Sequence, residues 1–177
     1  MTASAASQII YLNMFDQILN QVIQMKIAIV SGKDEGPTKL NAFDNALSDA
    51  GIGDVNLIKV SSMLAGNAEI IDLPELKPGA MVNCVLAEIT SDVFGEEITA
   101  IVAVAIGEKL GCVVEMTGRD TDPDELIGEA REMVTYMMDK RGEEIRDLIV
   151  ESSTATVRQT ASAISSVVYI TDEIVQE

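Results

Sequence analysis

The chain has 177 residues, two cysteines, no histidine and a formal net charge of −17. Without histidine there is no Ser-His-Asp triad and no imidazole base, and most catalytic zinc sites are excluded. A surface this acidic repels phosphate backbones and anionic lipid, so nucleic-acid and membrane partners are disfavoured and a cationic small molecule is favoured.

Residues 7–24 carry Ile10, Phe15, Ile18, Leu19, Val22 and Ile23 at near-helical spacing. They predict a helical extension over 1–24, followed by a single domain over 25–177. The N-terminal stretch has Asp16 and no basic region, and no apolar run approaches the roughly 20 residues that cross a bilayer. The expected location is therefore the cytoplasm. Residues 26–31 read as a strand, 32–37 as a loop, and 38–50 as a helix with Leu40, Phe43, Leu47 and Ala50 on one face and Gly51 ending it. A strand over 56–63 breaks into Ala65-Gly66-Asn67, and Pro74, Pro78 and Gly79 mark a loop. The runs 80–89 and 98–106 are almost continuously apolar, the signature of strands covered on both faces. A further strand spans 111–117. Asp122 as N-cap, Pro123 in the first turn and Glu125 as capping-box partner open a helix. Its stripe is Leu126, Ile127, Ala130, Met133, Val134, Met137 and Met138. Lys140 and Arg141 suit its negative end, and Gly142 stops it. Strands over 145–157 and 163–171 close the chain.

Roughly seven strands and two core helices in the order β-α-β-β-β-β-α-β-β define an α+β fold. The expected architecture is a four-layer α/β/β/α sandwich, two packed sheets with helices on the outer faces. Cys84 and Cys112 lie far apart in apolar runs and read as buried, reduced thiols. No metal-ligand cluster stands out. Ser31-Gly32-Lys33 lacks the upstream glycine of a phosphate-binding loop, and Gly51-Ile52-Gly53 follows a helix where a dinucleotide fingerprint would follow a strand. The one unusual chemical feature is Ser61-Ser62 at a strand end.

The context of that pair is specific. Leu40-Asn41-Ala42-Phe43-Asp44, then Ala50-Gly51-Ile52-Gly53-Asp54-Val55-Asn56-Leu57-Ile58-Lys59-Val60-Ser61-Ser62, resembles the pyruvoyl-dependent arginine decarboxylases. The likeness continues through Ser91-Asp92-Val93-Phe94-Gly95-Glu96, Cys112-Val113-Val114-Glu115 and Arg131-Glu132-Met133, covering about residues 26–157 with order and spacing kept.

The resemblance implies a reaction within the chain. The Ser62 hydroxyl attacks the Ser61 carbonyl in an N-to-O acyl shift, the ester eliminates, and hydrolysis leaves a pyruvoyl group on residue 62. The products are the pieces 1–61 and 62–177, and the covalent pyruvoyl group serves with no metal and no pyridoxal phosphate. Its ketone condenses with a substrate amine and acts as an electron sink. Asn56 is implied as an uncharged donor of this site, and Glu115 as the general acid that protonates the substrate carbon. Asp44 is implied as the partner of the guanidinium, whose planar fork suits a carboxylate. Leu40 and Leu47, at −4 and +3 from Asp44, share its helix face and would line a trough for the aliphatic stem. In the resembling enzymes this helix and the pyruvoyl group belong to adjacent subunits of a homotrimer. The implied reaction converts arginine to agmatine and carbon dioxide, a step of polyamine biosynthesis. Two other readings stand beside it: a pyruvoyl decarboxylase for another amino acid, and an uncleaved paralogue serving as a structural or regulatory subunit.

Overall fold

A computed structural model of the protein describes residues 24–176. Apart from its last residue, the helical extension expected over 1–24 lies outside them. The described elements are β1 (Lys26–Glu35), α1 (Lys39–Asp49), β2 (Asn56–Lys59), β3 (Met63–Ala65), β4 (Glu69–Ile70), β5 (Met81–Ser91), β6 (Glu97–Ile106), β7 (Leu110–Arg119), α2 (Pro123–Asp139), β8 (Asp147–Thr156) and β9 (Ala161–Ile170). The first sheet has the order β2-β5-β9-β1-β4 and the second β3-β7-β6-β8.

Alternation along each strand gives every sheet two apolar faces. Val85, Ala87 and Ile89 of β5 face Ala100, Val102 and Val104 of β6 in the core between the sheets. Val82, Cys84 and Leu86 turn the other way, beneath α1. Ile101, Ala103 and Ala105 of β6 lie beneath α2. The expected four layers are present, because strands covered on both faces need a helix outside and a second sheet inside.

Thr38 caps α1, its hydroxyl accepting from the Asn41 N–H at 3.3 Å. The buried face is built from small residues, Ala42, Ala46 and Ala50, with Leu47, so the helix lies close on β1. A Cβ at Gly32 would come within 2.3 Å of the Ala46 carbonyl oxygen. Gly32, read from sequence as the start of a loop, is thus a close-packing residue inside β1. The strand continues to Glu35 because β9 pairs with it as far as Glu35↔Ala161.

Around α2 most end signals act as expected, but the capping box with Glu125 does not form, because the Asp122 side chain turns to the nearer Asp124 N–H. The Asp122 side chain accepts from the Asp124 N–H at 3.0 Å, Pro123 opens the helix, and Gly142 takes a φ of 65° after it. Leu126, Ala130, Val134 and Met138 are buried, and each of the large ones contributes about 1.5–3 kcal/mol by leaving water. Met133 departs from the expected stripe and is 49% exposed. The larger correction concerns residues 56–63. What reads as one strand is two, β2 and β3, in different sheets.

Candidate active site

β2 leaves the first sheet at Val60, whose N–H donates to the Cys84 carbonyl at 3.0 Å. Two residues later the Ser62 carbonyl accepts from the Val113 N–H of β7 at 2.9 Å, and Met63 pairs with Cys112. The chain therefore changes sheets across the Ser61–Ser62 peptide. The Ser61 carbonyl accepts from the Met63 N–H at 2.9 Å, closing a three-residue turn centred on Ser62. Within that turn the Ser62 Oγ–H donates to Glu115 Oε2 at 3.0 Å.

The position of Glu115 follows from strand parity. Val113 points into the core between the sheets, so Glu115, two residues on, points to the same side. Pairing with β3 covers β7 only from Leu110 to Cys112, so the carboxylate stands where the edge of the sheet is open. A cavity of about 310 Å³ begins there, lined by β5 residues Leu86, Ala87 and Glu88, by Lys59 and Val60, and by Glu115, Met116 and Thr117. Lys59 Nζ and Glu88 Oε1 form an ion pair at its rim, 3.1 Å apart. Both side chains are about half exposed, so the pair shapes the rim more than it stabilises the fold.

Of the residues singled out from sequence, the structure brings together Ser61, Ser62 and Glu115. Asn56 begins β2, and its Nδ2 donates to the Gly79 carbonyl at 2.8 Å. Asp44 stands exposed on α1, which packs on β1 and β9 at the outer face of the first sheet. Ser62 and Glu115 belong to the opposite side, between the sheets. The two leucines beside Asp44 also part company. Leu47 is buried among Val82, Cys84 and Val168, whereas Leu40 is 74% exposed.

Two contacts at the site were not anticipated from sequence. Tyr169 Oη donates to the Met63 carbonyl at 2.9 Å, and Cys112 Sγ donates to Met63 Sδ at 3.9 Å. A tyrosine near the end of a buried strand signals a hydroxyl that needs a partner, but nothing local names that partner. Burial pushes the Cys112 and Cys84 thiols up from their ordinary range, so both stay protonated and neither is poised as a nucleophile.

A serine hydroxyl resting on a carboxylate, in a turn whose preceding carbonyl already holds a hydrogen bond, sets a nucleophile beside a carboxylate and a backbone donor. The sequence model of the family described as pyruvoyl-dependent arginine decarboxylase matches residues 26–174, and the chain belongs to this family. A protein of that name from Methanothermobacter thermautotrophicus is 56% identical over 149 residues, spanning 84% of this chain and 99% of the relative. Its namesake in Methanocaldococcus jannaschii is 43% identical over 122 residues, 67% of this chain and 73% of the relative. One from Pyrococcus abyssi is 38% identical over 152 residues, 81% and 93%. The family's cofactor is a covalent pyruvoyl group.

Proposed function

We propose that the chain cleaves itself between Ser61 and Ser62 and then decarboxylates arginine to agmatine and carbon dioxide. The observation that carries this reading is the contact of Ser62 Oγ with Glu115 at the point where the chain changes sheets. For maturation, the nucleophile and the scissile carbonyl are adjacent in one tight turn. The Met63 N–H already donates to the carbonyl oxygen on which charge develops, so that charge meets a donor in place.

These residues fit the pyruvoyl group. The Val113 N–H holds the carbonyl of residue 62, which remains an amide after cleavage, and the open edge beside Glu115 leaves room for a substrate. When formed, the group supplies a ketone that condenses with the substrate amine and accepts the electron pair left behind by carbon dioxide. Glu115 touches residue 62 on one side and lines the cavity on the other, and it returns a proton to the substrate α-carbon. Asn56 spends one of its two N–H donors on Gly79, and the second serves a ligand. Asp44, with exposed Leu40 one turn before it on the helix, binds the guanidinium and stem of a substrate held by a neighbouring copy, while Leu47, buried beneath the helix, takes no part in that trough. Exposed Asp44 and Leu40 on the outer face support such sharing in a homotrimer. Nothing in the site favours an uncleaved paralogue or another amino acid, and the acidic chain suits a cytoplasmic enzyme for a cationic substrate.

Intact-mass measurement of the purified protein tests the reading. Two species are expected, one ending at Ser61 and one beginning at a blocked residue 62, together with carbon dioxide release from arginine. A single full-length species after prolonged incubation would overturn it.

A further inference from the structure

Ser62 and Val113 face each other across the β3–β7 ladder, with the Val113 N–H on the Ser62 carbonyl. In an antiparallel pair the next residue turns its own N–H and C=O away from the partner strand. Met63 is that residue. Its N–H serves the Ser61 carbonyl, and its carbonyl is taken by the hydroxyl of Tyr169 at 2.9 Å. Tyr169 sits on β9, in the middle of the other sheet, paired with Ile27 of β1. Its ring packs against the core between the sheets.

We infer that Tyr169 is a positioning residue for the reacting position 62, acting through the Met63 peptide. The backbone around Ser62 is held from the second sheet by Val113 and from the first by the Tyr169 hydroxyl. Before cleavage, this bond keeps the turn that sets the Ser62 Oγ against the Ser61 carbonyl. After cleavage, residue 62 heads its piece and loses its tether to Val60. The Tyr169 bond then becomes one of the few contacts that keep it opposite Glu115. Burial also pushes the Tyr169 phenol up from its ordinary range, so the hydroxyl keeps its proton and remains a donor.

This inference rests on self-cleavage at Ser61–Ser62, and the test separates the two. Precursor made in a short cell-free pulse is followed by intact mass for the unmodified protein, Tyr169→Phe and Ser62→Ala. Thermal midpoints and the kcat and KM of matured protein are measured alongside. Loss of one net hydrogen bond predicts roughly a 3- to 10-fold slower cleavage rate constant for Tyr169→Phe. The matured variant should show a lower kcat per titrated pyruvoyl group with KM little changed, because counting the active sites removes the loss of active fraction that a general loss of stability would cause. If the unmodified protein never cleaves, the pyruvoyl reading fails. If it cleaves and Tyr169→Phe matches it in rate constant and kcat, the assignment of Tyr169 fails alone. Should Tyr169→Phe not fold, 3-fluorotyrosine at position 169, assayed at mildly acid pH, strengthens the donor at nearly constant shape. A faster cleavage supports the inference, and an unchanged rate overturns it.

Discussion

The two flanks of β7 are opposites. Along one, β6 pairs with it without a break from Ile98↔Arg119 to Ile106↔Gly111, and the residues of β6 from Ile98 to Ile106 are buried. Along the other, β3 pairs only from Met63↔Cys112 to Ala65↔Leu110. Beyond that the edge is open and Glu115 meets Ser62. The regular flank gives β7 a fixed register and therefore fixes where Glu115 points. The irregular flank leaves the space in which a turn, a hydroxyl and a carboxylate converge. An open edge is usually a liability. Here it is where chemistry can happen, because a complete ladder would bury the scissile peptide.

Substitutions on the two flanks should separate accordingly. Ser62→Ala removes the hydroxyl assigned to attack the Ser61 carbonyl, so cleavage is lost altogether while the thermal midpoint of the precursor stays close to that of the unmodified precursor. Gel analysis after long incubation would show one band, and two bands would locate the nucleophile elsewhere. Glu115→Gln keeps an acceptor for the Ser62 hydroxyl but removes the acid. Cleavage should survive, while turnover with arginine falls by roughly 10²–10⁴. Near-normal carbon dioxide release from that variant would place the proton donor on another residue.

Asp44→Asn tests the helix on the far side of the first sheet. A charge-assisted bond to guanidinium is worth about 1.5–3 kcal/mol, which gives roughly a 10- to 150-fold lower kcat/KM for arginine with cleavage intact. Assays with arginine, lysine and ornithine on both proteins check it. Equal handling of arginine would remove Asp44 from the substrate site. Ile101→Val on β6 is the smallest change, costing about 0.5–1.5 kcal/mol of stability. Denaturant unfolding of the Ser62→Ala background should show it, with cleavage and turnover unchanged in the otherwise unmodified protein. A slowed cleavage would mean that the regular flank is not the passive support described above.

Much of the framework was legible because it rests on local patterning. The runs that became β5 and β6 are apolar on both faces, and α2 is bounded by Asp122, Pro123 and Gly142, each acting through its own geometry. Residues whose role depends on distant partners were less legible. Nothing between Asn56 and Met63 says that the strand changes sheets, since that is decided by Cys84 on one side and Val113 on the other. Helical spacing placed Leu40 and Met133 on apolar faces but could not show where the underlying sheet ends. Both are exposed. Ser61, Ser62 and Glu115 were reached through their sequence context. Tyr169 was not, because its partner lies more than a hundred residues away in the chain.

The placement of β1 has one more consequence. It lies between β9 and β4, both of which follow Ser62, so a cut at Ser61–Ser62 yields two polypeptides woven through a single sheet. Neither holds a complete core alone: the shorter one keeps β1, α1 and β2 but none of the strands they pair with. On the proposed cleavage, the precursor would fold from one continuous chain, whereas the processed protein would be a segment-complementation complex whose stability depends on concentration. Assembly must then come before cutting, and a processed molecule that unfolds in dilute solution has lost the covalent tether that first brought its halves together.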